Sequence, residues 1–239
     1  MKILITGSSQ GIGKAIAELF LANGHDVTGI DRQPASIIHG SYNHIVWDIR
    51  DAENAPEIND IEILINNAGT QNEDDIDINL KSLIRITERY GVQERIRSIL
   101  NIGSASAHTG SEFPEYCASK GGVLAYTKNV AMRIAPFGAT CNSLDFGGVK
   151  TELNKPVMED EKLWQQIMDV TPLKRWMQPA TLGIKREIVT LEQRNGLPWL
   201  WYEYWPEELI DGAPQKSVPV MVLLHGNTND PRTQAETSG

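Results

Sequence analysis

A chain of 239 residues, 41% of them apolar, has room for one large α/β domain and enough side chains to bury a substantial core. A net charge of −9 without any run of Lys or Arg argues against a nucleic-acid or anionic-membrane surface, and no apolar run is long enough to span a bilayer. Two cysteines, Cys117 and Cys141, make neither a disulfide framework nor a metal-ligand spacing. A reduced, cytoplasmic setting is therefore expected, because the chain opens on a strand pattern rather than a signal peptide.

Lys2 to Thr6 predicts a buried first strand, and Lys14 to Leu21 predicts a helix with apolar positions at 15, 16, 19 and 20. Between them lies the turn Thr6-Gly7-Ser8-Ser9-Gln10-Gly11-Ile12-Gly13. Glycines let a backbone approach a pyrophosphate, and the free N–H groups and dipole of a helix start supply the positive charge that an acidic chain otherwise lacks. Gly7, Ser9, Gln10, Gly11, Ile12 and Gly13 are thus candidate nucleotide contacts. A second strand, Asp26 to Asp31, puts Asp31 18 residues after Gly13, close to the spacing of a carboxylate that holds ribose hydroxyls. That carboxylate would repel a 2′-phosphate and favours NAD, whereas Arg32 beside it leaves NADP open. Gly7-Ser8-Ser9-Gln10-Gly11 also fits a nucleophile elbow, but an elbow strand follows several earlier strands and this one is the first.

Ile45 to Ile49 predicts a third strand, with Asp48 and Ile49 at its carboxyl end, where open α/β sheets contact ligands. Asp48 is equally readable as an adenine contact or as a cap of the next segment. Ile61 to Ile65 is a fourth strand ending in Asn66-Asn67-Ala68-Gly69, so that Asn67, Ala68 and Gly69 suit a backbone close to a ligand and also suit any turn. A helical pattern opens at Ile76 and passes through Leu83, Ile84 and Ile86. Ser98 to Ile102 is a fifth strand running into Gly103-Ser104-Ala105-Ser106. Strands alternating with helices predict an α/β fold of Rossmann type, a doubly wound parallel sheet.

Tyr116-Cys117-Ala118-Ser119-Lys120 then opens a helix on which Tyr116 and Lys120, at i and i+4, share one face. Such a pair is commonly an ordinary helix face. It is also a proton-transfer geometry, since an ammonium beside a phenol favours phenolate and draws its pKa toward the working pH.

Taken in order and spacing, Thr6-Gly7 to Gly13, Asn66-Asn67-Ala68-Gly69, Asn79, Ser104, and Tyr116 with Lys120 resemble the short-chain dehydrogenase/reductase family over about residues 1 to 180. The resemblance implies a general acid/base at Tyr116 and a ribose-binding Lys120 that lowers the pKa of Tyr116. It also implies that Ser104, with Ser106 as competitor, bonds the substrate oxygen and that Asn79 anchors a relay water. Ala139 to Thr151 resembles the sixth strand and cofactor-capping loop, with Phe146 where a proline is usual, and puts Val149 and Thr151 at the nicotinamide. Ser104 stands one residue closer to Tyr116 than the family habit, and the connections 48 to 61 and 69 to 79 are short. Residues 152 to 170, with Trp164, Ile167 and Met168 at helical spacing, resemble a substrate-covering lid.

The sequence divides into a nucleotide-binding domain, 1–180, and an atypical tail, 181–239. The tail weakly resembles the start of a polyester-depolymerase-like α/β-hydrolase, with His225-Gly226 after the strand-like Val218 to Leu224. It reads as a fusion or as a makeshift seventh strand over Val220 to Leu224. The leading functional expectation is NAD(P)-dependent hydride transfer with an alcohol or ketone, in a homo-oligomer that the tail could weaken. The alternatives are a nucleotide-binding protein without turnover and an esterase using Ser9. Glu112, Glu115, His108 and Asp145 hint at a hydroxyl-rich substrate and are equally readable as solvated loop residues.

Overall fold

A computed structural model of the chain describes residues 1–71, 73–171, 174–179, 188–190 and 200–202. Its first strand, β1 (Lys2–Thr6), is apolar and buried along almost its whole length, which suits a parallel sheet covered on both faces. Helix α1 (Gly11–Ala22) follows the glycine turn, then β2 (Asp26–Asp31), β3 (Tyr42–Val46) and β4 (Ile63–Asn66). A helical segment runs from a π turn, Ile76–Ser82, through α2 (Leu83–Ile86) to a second π turn, Thr87–Gly91. Next come β5 (Ser98–Ile102), the short α3 (Ser106–Thr109), the long α4 (Pro114–Ile134) and β6 (Thr140–Leu144). Helices α5 (Lys155–Glu159) and α6 (Glu161–Val170) complete this part. Ile188–Thr190 (β7) and Leu200–Tyr202 (β8) form a separate antiparallel pair.

The six strands lie in the order β3-β2-β1-β4-β5-β6 and every pairing between them is parallel. Alternation along the strands splits the core in two. Leu4, Leu64 and Ile99 join Ile86, Val130 and Ile134 on one face, while Ile3, Ile5 and Ile65 join Ile16, Ala17 and Leu21 of α1 on the other. This is the doubly wound arrangement expected. Its strand order reverses between β1 and β4, and ligands of such sheets bind outside the carboxyl ends at that point.

One expected element is displaced. β3 spans Tyr42–Val46 instead of residues 45 to 49, with Tyr42 opposite Val27 and Val46 opposite Asp31. Beyond it the chain bends: Asp48 accepts hydrogen bonds from the Arg50 backbone at 2.9 Å and from its guanidinium at 2.7 Å. Asp48 and Ile49 therefore sit in a loop, and no helix lies between Asp48 and Ile61. The hydrolase-like stretch around His225 and the proposed strand Val220 to Leu224 lie outside the described residues. Among those described, no helix is long and apolar enough to cross a membrane.

Candidate active site

The glycine turn is built on close approach. Gly7 has φ +70°, and a Cβ on Gly13 would lie 2.1 Å from the Gly7 carbonyl oxygen, so neither position tolerates a side chain without rearrangement. The turn is stapled from the far side of the strand reversal. Asn67 donates from its amide to the Thr6 and Gly7 carbonyls at 3.0 and 2.9 Å, and the Thr6 hydroxyl accepts the backbone N–H groups of Asn67 and Ala68. Asn67 thus shapes the turn with its side chain. Thr6, which opens the motif without being a candidate contact, proves to be the other half of the staple.

Helix α1 starts with no side-chain cap and no acidic residue in its first turn, which leaves its amides open to an anion. Asp31 ends β2 and accepts from Ser9 N at 2.9 Å and Gln33 N at 3.0 Å. Arg32 beside it is exposed. The Ser9 hydroxyl is buried and donates to the Gln33 and Pro34 carbonyls. Among the described residues it has no histidine partner, and its proton is spent on backbone carbonyls, which disfavours the elbow reading of this turn.

From this turn a cleft of about 600 Å³ runs across the carboxyl ends of the strands. Gly7, Gln10, Gly11, Ile12, Asp31, Arg32, Asp48, Ile49, Asn67, Ala68 and Gly69 line its first part, and Ser104, Tyr116, Lys120, Val149 and Thr151 line its second. Ser9 and Gly13 support the turn from behind, and Asn79 stands behind the wall.

Pro114 at the first position starts α4, which carries Tyr116 and Lys120. Lys120 is buried and its ammonium donates to the Ile102 carbonyl at 2.9 Å, 5.7 Å from the Tyr116 ring centroid. Burial pulls its pKa down to about 8, against the pull of Asp145 and Asp75. Burial, with the Glu112 and Asp75 charges, holds the Tyr116 pKa above the ordinary phenol value, against the downward pull of the neighbouring Ser104 hydroxyl. The expected lowering of Tyr116 by Lys120 is therefore absent in this state. The ammonium lies over the ring and spends a donor on a carbonyl, and desolvation outweighs what remains.

Ser104 faces Tyr116, whereas Ser106 sits one step further away. Ser104 donates to Ser106 Oγ at 3.0 Å, and the Ser106 hydroxyl in turn draws down the pKa of the neighbouring Glu112. Asn79, in the first π turn, is held on three bonds: its amide donates to the Thr70 carbonyl at 2.9 Å and to Ser119 Oγ at 3.2 Å, and its oxygen accepts Thr70 N at 2.8 Å and keeps a second lone pair. Gly122 allows α4 this close, since a Cβ there would meet the Leu80 side chain at 2.6 Å. The four residues Asn79, Ser104, Tyr116 and Lys120 converge around one end of the cleft.

Several contributors carry no mark in the sequence as site residues. Gln71 donates to Glu112 at 2.6 Å across the cleft mouth. Trp176 packs on Gly148, meets Trp164 edge-on at 4.9 Å and lines the cleft, brought there by the Val149–Met177 bridge. Leu153 and Val157 add to the same wall. No local signal picks out Gln71 or Trp176, which reach the cleft by tertiary contact, whereas Leu153 and Val157 lie in the stretch 152 to 170 that resembles a lid.

Fold and cleft together define a Rossmann-type α/β protein with a Tyr-Lys pair at the strand ends. The chain belongs to the short chain dehydrogenase family, whose model matches residues 1–162. It is 29% identical over 205 residues, covering 73% of this chain and 83% of the relative, to a 3-oxoacyl-(acyl-carrier-protein) reductase of Buchnera aphidicola. Among solved structures it resembles ligand-free Thermoplasma acidophilum aldohexose dehydrogenase, with TM-score 0.64 and 25% identity, covering 75% of this chain and 82% of that one. It also resembles a 4-hydroxyisoleucine dehydrogenase complexed with NADH, again at TM-score 0.64 and 25% identity, with coverage of 74% and 86%.

Proposed function

We infer that the chain is an NAD(P)-dependent oxidoreductase that moves a hydride between a nicotinamide and an alcohol or ketone, with Tyr116 as general acid/base. The observation that carries this reading is the convergence of Ser104, Tyr116, Lys120 and Asn79 at one end of a cleft that begins at an uncapped, glycine-built helix start. That start fits a dinucleotide: the Gly7 and Gly13 backbones have no side chains in the way and Asp31 stands at the ribose position. The bound cofactor supplies the hydride chemistry itself.

In the reducing direction Tyr116 gives its phenolic proton to the substrate oxygen as that oxygen becomes an alkoxide, and in the oxidising direction it takes the proton back. Ser104, beside Tyr116 on the lining of the cleft, holds the same oxygen. Lys120 stabilises the phenolate that each turnover creates, and the Ile102 carbonyl fixes its position. Asn79, held on three bonds, anchors the water that returns the proton to solvent. Asp31 favours NAD, because its charge would face the extra phosphate of NADP.

The test is titration of the full chain with NADH and NADPH by fluorescence, beside Asp31→Ala and Tyr116→Phe. Wild type binds NADH more tightly than NADPH, and Asp31→Ala erases that preference. Tyr116→Phe keeps binding and loses about 10²–10⁴-fold in kcat. NADH binding by wild type without turnover of any alcohol or ketone would return the chain to a nucleotide-binding role.

A further inference from the structure

The cleft continues past Tyr116 to a rim on which one carboxylate stands out. Glu112 has φ +79°, a left-handed conformation that few residues other than glycine adopt, so the surrounding structure holds it there at a conformational cost. The connection between α3 and α4 uses two left-handed residues, Gly110 and Glu112, and only the first is a glycine. Held this way, the Glu112 carboxylate reaches into the cleft between the loop after β4, through Gln71, and the start of α3, beside Ser106.

An ionised carboxylate offers about four acceptor sites. Gln71 fills one of them, and among the described residues no Lys or Arg pairs with Glu112. Acceptor capacity is thus left over near Tyr116, with the bonded pair Ser106 and Ser104 between it and Glu112. Its charge is felt at Tyr116, and burial raises its own pKa, as expected of a carboxylate lacking a cation. The facing wall is of opposite character, with Trp176, Val157, Ile167 and Val170 giving an apolar surface.

We propose that Glu112 selects the substrate: its carboxylate accepts a hydrogen bond from a donor, a hydroxyl or an ammonium, carried near the reacting carbon, while the apolar wall holds the hydrocarbon body. The substrate class is a hydrocarbon-bodied diol or amino alcohol and the ketone formed from it, and an anionic group at that position is rejected. The assignment rests on the oxidoreductase reading above.

The experiment is steady-state oxidation by the full chain of three alcohols sharing one skeleton, cyclohexanol, its vicinal diol and its vicinal amino alcohol, beside Glu112→Gln and Glu112→Gly. Gly suits the left-handed backbone and keeps the comparison open if the amide variant folds poorly. Wild type prefers the donor-bearing alcohols by about tenfold in kcat/KM, because an analogue that covers the carboxylate without donating to it forgoes a charge-assisted hydrogen bond. Both variants lose that preference, most for the amino alcohol, when each rate is read as a ratio to cyclohexanol with the same enzyme. Preference for the diol alone over cyclohexanol identifies a hydroxyl as the donor, and preference for the amine identifies an ammonium. Turnover with the same ratios in wild type and both variants overturns the role of Glu112 and leaves the oxidoreductase reading standing. NADH binding with no turnover of any of the three alcohols or their ketones overturns both.

Discussion

Lys120 shows most directly how a single residue couples the site to stability. Its ammonium is buried beside the Ile102 carbonyl, and its pKa falls from an ordinary 10.5 to about 8. Between those values the unfolded chain binds a proton that the folded chain has released, so this group makes stability rise with pH. Below about pH 8 both states are protonated and the full cost of the buried charge, about 3 kcal/mol, is present. Cys141, pushed up to about 12 by burial, works the other way, because its unfolded counterpart ionises from about pH 9 upward. The window that isolates Lys120 is therefore about pH 7 to 9. Urea unfolding of wild type and Lys120→Met across that window should show the difference between them change by about 1 kcal/mol in favour of wild type as pH rises. A difference that stays flat would mean that the ammonium keeps its ordinary pKa in the folded chain.

At the scale of elements, the strands under the site are tied by polar side chains that a hydrophobic reading of the sheet passes over. Asn66 and Asn101 face each other in register on β4 and β5, both buried. Asn66 donates to Asn101 and to Thr87 at 2.8 Å each, and Asn101 donates to Thr127 of α4 at 2.8 Å. One bridge thus fixes the second π turn, two strands and the helix that carries Tyr116. Asn66→Leu removes both donated bonds and leaves the Asn101 oxygen without its partner inside the core, which costs about 1–3 kcal/mol. Thermal unfolding should register a fall of several degrees, and a variant as stable as wild type would show that the bridge contributes nothing net. The same elements show what the sequence makes legible. β5 falls where its apolar run predicts and Pro114 opens α4 just ahead of Tyr116, because one residue type dominates each signal. β3 is displaced because Trp47 and Ile49 bury apolar side chains from a loop, imitating a strand. Nothing in the residue type of Glu112 announces a left-handed backbone, and Trp176 reaches the cleft only through the Val149–Met177 bridge. The four residues proposed for catalysis are readable as a spaced pattern, whereas the substrate wall depends on contacts between distant segments.

For the whole molecule, the question is how a chain of net charge −9 accommodates an anionic dinucleotide. The long-range field opposes binding, so the attraction must come from local devices: the uncapped start of α1 and the hydrogen-bonding groups of the turn. Near the adenosine end, the basic residues are largely spent. Arg50 lies 2.7 Å from Asp48 and 3.6 Å from Asp74, which leaves Arg32 beside Asp31 to meet any further phosphate. Raising ionic strength from about 0.01 to 0.15 M shortens the screening length from about 30 to 8 Å, which weakens the field of the whole chain more than contacts made at bonding distance. The Kd for NADPH should therefore fall severalfold over that range, and the Kd for NADH, with one phosphate fewer, should fall less. The opposite slope for NADPH, weaker binding as salt is added, would mean that Arg32 grips the extra phosphate strongly enough to outweigh both Asp31 and the charge of the whole chain. Calorimetric titration at the two salt concentrations separates these outcomes, and Arg32→Ala identifies the residue responsible if the second is found.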